Sequence, residues 1–324
     1  FKGVPADNEV GEAATSSSEP KQSDEKKTGK EGEEEGPAEL KKHPHLQLKL
    51  RVVNPDAKPI MSKDGDYKRF VRIVESHNKK LLKNSASLCL SNDEIDALKA
   101  FTESFSNPAV AVPLLVTQAT IKLIIKWPHP LLFPPLGLYQ ALMLRDAQRK
   151  VLLKQYKVII PKLIATVTNE KAKGTVQMMA LCVFLNMFAD KHLAVLLVND
   201  EAFMDMLMYV LESESDLVKI SAARLVFNVA LALPKRGSLG VIQLASYLPC
   251  VCTRSTKGGN LAIMLRAVGQ LVFCNDEAGK VVGIMDFKPL DLVSSFKGSK
   301  ASLRIQNAAS DVIALLKHLE YSQR

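Results

Sequence analysis

A chain of 324 residues, 47% hydrophobic but only 6% aromatic, can bury a large core whose Leu, Val, Ala, Ile and Met suit helices better than a β-sandwich. Its net charge of +9 is uneven: residues 1–48 hold 7 Lys against 11 Asp or Glu, which is −4, so the rest carries +13. Five cysteines (Cys89, Cys182, Cys250, Cys252, Cys274) without disulfide or zinc spacing, and no uncharged apolar run of the ~18 residues a membrane span needs, argue against a disulfide scaffold, a metal centre and a transmembrane protein.

Residues 1–48, with runs such as EKKTGKEGEEEGPAELKK, hold too few apolar side chains to offset the entropy of ordering them, and are expected to be a disordered acidic linker. Because the chain opens on Phe1, it is expected to be a piece of something longer, with an upstream domain before this linker. HLQLKLRVV (His45–Val53) alternates weakly, so residues 49–65 read as linker or short strand. From Asp66 the pattern is helical and stays so to Tyr321. Phe70, Val71, Val74 and Leu81 share one face of the first helix, and Ser91 with Glu94 predicts a capping box for the second. VPLLVTQATIKLIIKW leads to a corner, WPHPLLFPP, where Trp127 and His129 read as packing and corner residues. Pro161, inside KVIIPKLIATVT, predicts a break or a fresh helix start. Met204, Met206 and Met208 read as core filling.

Three later segments are apolar nearly all round, which predicts helices buried on most sides: VQMMALCVFLNMFAD, DLVKISAARLVFNVALAL and NLAIMLRAVGQLVFC. Each carries one amide at the same place, Asn186, Asn228 and Gln270, spaced by 42 residues. That period, with two or three helices per unit, predicts an all-α, armadillo/HEAT-like right-handed helical solenoid of about six repeats. One turn before each amide, on the same helix face, stand Cys182, Arg224 and Arg266. Stacked, the three pairs form a ladder. An amide can both donate to and accept from a peptide backbone, and arginine can grip a carboxylate with two parallel bonds. The ladder therefore suits an extended acidic peptide, with the amides on its main chain and the arginines on its acids. The alternative use is amides bonding between neighbouring helices, and the pattern alone leaves both open. Lys219 and Lys257 lie in the same segments.

The stretch from about Tyr67 to Tyr321 resembles the PUL domain, the C-terminal domain of phospholipase A-2-activating protein and its yeast relatives. WPHPLLFPPLGLYQALML resembles the family's Trp-Pro and Phe-Pro-x-Leu-x-Leu stretch (Trp127, Pro128, Phe133, Pro134, Leu136, Leu138). The likeness continues in Leu181, Asn186 and Phe188, in Asn228, and in Ala267, Gly269 and Leu271. It implies an armadillo-like domain over residues 66–321. It also implies a non-catalytic adaptor whose basic concave groove binds the acidic C-terminal tail of the ubiquitin-selective AAA ATPase (valosin-containing protein in animals). The implied setting is ubiquitin-dependent degradation in cytoplasm and nucleus, with ubiquitinated substrates as indirect partners. Family members often carry Arg where this chain has Cys182 and Ile263, so Arg224 and Arg266 are expected to supply the charge instead.

Some relatives follow a papain-like deubiquitinating or deSUMOylating peptidase domain, and a targeting role for such an upstream domain is the alternative reading. Within this chain no Gly-rich phosphate loop and no Cys/His or Ser/His/Asp setting appears, so no catalytic, cofactor or metal residue is assigned. Nucleic acid is disfavoured as partner because few aromatics interleave with the dispersed lysines, and a membrane partner is not expected.

Overall fold

The computed structural model describes residues 48–322 apart from 55, 64, 108, 234–238, 256–257 and 299–300. The acidic segment before Leu48, and Lys257, lie outside the described residues. Fourteen α-helices follow one another among the described residues, with no strand. They are α1 (Tyr67–Leu82), α2 (Asn92–Ala100), α3 (Leu114–Lys126), α4 (Phe133–Leu142), α5 (Asp146–Val167), α6 (Gly174–Met187), α7 (Lys191–Val198), α8 (Glu201–Leu211), α9 (Asp216–Ala232), α10 (Leu239–Arg254), α11 (Gly258–Cys274), α12 (Asp276–Ile284), α13 (Pro289–Ser294) and α14 (Ser302–Ser322).

The stacking explains the apolar runs. α1, α4, α6, α9, α11 and α14 each pack on the next, one per repeat, and the other helices lie outside this row. A helix held between two row neighbours and an outer layer has almost no polar face. The nine residues PPLGLYQAL of α4 and the run Met179–Met187 of α6, all buried, are cases in point. Gly137 on α4 is needed for this closeness, because a Cβ there would lie 2.3 Å from the Phe70 ring of α1.

Local signals mostly hold. Ser91 and Glu94 form the capping box, and Lys122 of α3 closes on the same carboxylate at 2.7 Å. Burial alone would raise the Glu94 carboxyl, but the Lys122 ammonium and the Ser91 N–H outweigh it and hold Glu94 below its ordinary value. Trp127 is fully buried and donates Nε1–H to the Leu88 carbonyl at 3.1 Å. Two expectations fail. Pro161 does not interrupt α5, which runs on to Val167. Proline leaves only the carbonyl four residues back without its donor, and here both Pro161 and Lys157 are exposed, so water can take that role. The short-strand alternative, offered beside a linker for residues 49–65, fails too, since the described residues there are irregular. Alternation cannot make a strand where no second strand offers a ladder.

The segment from Leu48 to Asp66 is a strap laid across the inner row, in the reverse order of the helices. At its start the Asp311 carboxylate of α14 accepts the backbone N–H groups of Arg51, Val52 and Val53 at 2.7–2.9 Å. Val53 seats on Gly269 of α11, where an added Cβ would lie 2.6 Å from its methyl. Ile60 then meets α9, Ser62 meets α6 and α4, and Tyr67 begins α1.

Candidate peptide-binding site

The amide ladder exists, and it holds a main chain. Asn228 accepts the Ile60 N–H at 2.6 Å and donates to the Ile60 carbonyl at 2.9 Å. One repeat earlier, Asn186 accepts the Ser62 N–H at 2.8 Å and donates to the Ser62 carbonyl at 2.8 Å. Gln140, one repeat earlier again, donates to the Ser62 hydroxyl at 2.7 Å. Residues i and i+2 of an extended chain turn the same edge to one side, so two amides one repeat apart can each serve both backbone groups of alternate residues. The expectation that these amides grip an external peptide is therefore corrected for Asn186 and Asn228. Their partner is the protein's own strap. Asn186 also donates to the Gln140 carbonyl at 2.9 Å, so the bonding between neighbouring helices is present too.

Gln270 is not a rung. Its Nε2 donates to the Cys274 sulfur at 3.3 Å, and at the level of α11 the strap is met by Gly269 instead. Cys182 is buried beside Ser62, Ser221 and Arg224. Burial pushes its thiol up, which suits a packed neutral side chain rather than a nucleophile.

Arg266 is placed differently. Its guanidinium lies 4.8 Å from the centre of the Phe227 ring, a cation–π contact. Burial lowers its pKa, and its Nε–H meets no described acceptor. It lies on the wall of a cavity of 400 Å³ between α11 and the strap, together with Arg51, Lys58, Leu50, Val52 and Phe273. Arg51 keeps one guanidinium nitrogen on Asn307 at 2.9 Å. The cavity thus combines three cations with apolar walls, and no acidic side chain among the described residues lines it.

Sequence reasoning missed Arg51, Lys58 and Asp311. The first two sit in a segment that reads as linker or short strand, with nothing to mark it as part of a site. Asp311 carried a usable signal: it is one acid among Ala308, Ala309 and Val312 on a buried face. The basic balance also misled in part, because Arg145 is buried and donates to the carbonyls of Ala141, Ser104 and Asn107, closing the turn Thr102–Ser106 rather than facing a partner.

The family model of the PUL domain matches residues 54–311. The chain belongs to the PUL domain family. The matched span begins inside the strap and ends inside α14, so it takes in most of the strap and the helical row but not residues 48–53 or the end of α14. No curated protein matches the sequence. Among solved structures, a designed armadillo repeat protein in complex with the peptide (KR)4 is similar at a TM-score of 0.50 and 12% identity, over 76% of this chain and 100% of that one. A second engineered protein is similar at 0.51 and 13%, over 78% and 100%. At such identities the likeness is one of fold, and it agrees with the stacked inner row. A PUL domain on an armadillo-like frame supports protein interaction as the general role. No described helix is long and apolar enough to cross a membrane.

Proposed function

We propose that this PUL domain is a non-catalytic adaptor that binds the acidic C-terminal tail of a ubiquitin-selective AAA ATPase, in cytoplasm and nucleus, and so serves ubiquitin-dependent degradation. The observation that carries the reading is the Arg266 guanidinium, desolvated and with an unmet N–H, in a cavity also lined by Arg51 and Lys58. Arg266 is half-buried, so part of the cost of desolvating a cation without an acid applies to it, and an incoming carboxylate relieves that cost with charge-assisted bonds. Apolar walls next to the cations favour a tail that alternates acids with a large apolar or aromatic side chain.

The strap makes the cavity. Asn186, Asn228 and Asp311 act on the tail indirectly, by fixing the strap that forms one side of its site. Arg224, half-buried next to Cys182, stands one repeat along and is the place for an acid further up the tail.

The test is calorimetric titration of the domain with a synthetic tail peptide at two salt concentrations. Binding weakened about tenfold by Arg266→Ala, and weakened by salt, supports the reading. Equal affinity for Arg266→Ala and the native domain moves the site elsewhere, and no binding at low salt rejects the tail as ligand.

A further inference from the structure

A second surface, on the outer layer and away from the strap, has the character of a docking groove. Helices α3 and α5 pack side by side outside the inner row. Between them runs an open trough of 370 Å³, lined by Gln118, Ile121, Ile125, Lys126, Gln155 and Val158. Val158 is 54% exposed, Ile125 38%, and Leu114 at the head of α3 64%. Leu114, Ile121 and Ile125 fall on one stripe of α3, since their spacings of seven and four residues return to the same face. The stripe is about 17 Å long, or three helical turns.

Charge rims this apolar floor on one side of the balance only. Residues 107–169 hold eight Lys or Arg and a single acid, Asp146. That acid is paired with Arg149. Lys122 is satisfied by Glu94 at 2.7 Å. Lys154 and Lys162 stand one turn before and one turn after Val158, on its face of α5, and Lys126 ends α3. None of Lys126, Lys154 and Lys162 has a carboxylate partner among the described residues; Lys126 touches only the Ser87 carbonyl, at 3.3 Å.

We propose that the trough between α3 and α5 binds an acidic amphipathic helix of a partner protein, about three turns long, with Leu- or Ile-type anchors on one face and Asp or Glu on its flanks. Both walls are helices whose backbone groups, apart from the Lys157 carbonyl that Pro161 leaves free, are bonded internally, so an extended peptide finds no ladder to join. A helix brings its own backbone bonds and needs only side-chain contacts, the helix-in-groove mode of recognition. A lipid surface matches basic and apolar character as well, but it is flat where this site is hollow. The acids of the partner would face Lys126, Lys154 and Lys162 around a desolvated apolar centre.

The probe is a fluorescent 18-residue alanine-based helix with Leu at i, i+4, i+7 and i+11 and six Glu flanking that face, titrated into the full 324-residue chain. Its Lys-for-Glu counterpart and vesicles containing 30% phosphatidylserine serve as comparisons. The expected result is saturable binding of the acidic helix, at least tenfold weaker for Ile125→Asp/Val158→Asp, several-fold weaker for Lys154→Glu/Lys162→Glu, and unchanged for Arg266→Ala. Ile125 and Val158 are exposed, so these variants should fold, and thermal denaturation checks that they do. Three outcomes overturn the proposal: no saturable binding of the acidic helix, equal binding by the Ile125→Asp/Val158→Asp variant, or capture by the vesicles in preference to the helix. A concentration-dependent dimer abolished by the same variant also overturns it, because the face would then be covered by a second copy.

Discussion

The two halves of the strap meet the same helical row in opposite ways. Residues 59–62 lie flat on α9 and α6, with both backbone groups of Ile60 and of Ser62 bonded to asparagine side chains. The earlier half is anchored by Asp311 and seated by Val53 on Gly269 of α11, and Leu50–Asn54, Ala57 and Lys58 wall the cavity that Arg266 lines. An amide satisfies a peptide backbone completely and closes the surface. An arginine cannot accept a hydrogen bond, so it satisfies only half of a backbone's needs and leaves room for an acid. The side-chain type at each rung thus decides whether the groove is filled from within or kept open.

The largest test of this contrast removes the closed half. Asn186→Ala/Asn228→Ala leaves the N–H and carbonyl of Ile60 and Ser62 without partners, and should cost about 4 kcal/mol in urea denaturation, with faster hydrogen exchange at residues 51–62. A loss under about 1 kcal/mol would mean the strap contributes little to the fold. Next comes the anchor of the open half. Asp311→Asn keeps the size but replaces a carboxylate that accepts three N–H groups, and should cost about 2 kcal/mol while also weakening tail binding. Gly269→Ala sharpens the comparison inside the open half, where Val53 seats on α11. Its methyl collides with Val53, so about 1.5 kcal/mol should be lost, and Val53→Ala should restore much of it.

Arg266→Ala should do the reverse of these three. Tail affinity should fall about tenfold, roughly 1.4 kcal/mol, with little change in stability, since the side chain it removes has no described acid partner. The smallest effect lies far from the strap. Glu94 is held below its ordinary value when folded, so its contribution is present above the ordinary glutamate range and is lost as pH falls through its folded value. Between pH 6 and acid conditions that contribution should amount to about 1 kcal/mol, abolished by Glu94→Gln and unaffected by the strap variants.

Sequence made the row of helices legible because burial between neighbours leaves a mark, a run with no polar face, and a lone amide in such a run is conspicuous. Asn186 and Asn228 were found that way, and gripping an extended main chain was one of the two uses that their side chains left open. Whose main chain they grip was not readable. Residues 54–62 have no periodicity and the weak alternation up to Val53 points to a strand, whereas the order of this segment comes from side chains 124 to 260 positions away. Gln270 shares the 42-residue period without sharing the role, since the approach of Val53 to Gly269 sets the strap's height at α11. Pro161 shows the opposite limit: a local rule for helix breaking gives way where the freed carbonyl already faces water.

The bond between Val53 and Asp311 spans 258 positions in a fold whose other contacts are mostly between neighbouring repeats. A stack of repeats behaves as a spring, free to open or tighten its curve by small increments at each joint. Tied from α14 back to α1, this one is strung like a bow. Its curvature is then a property of the whole row, set by the length of the string. The string is also the first part of the domain to leave the ribosome and the last that can be fastened, because its anchor is on the final helix. Until Asp311 has been made, residues 51–53 have no anchor and the row is an open spring.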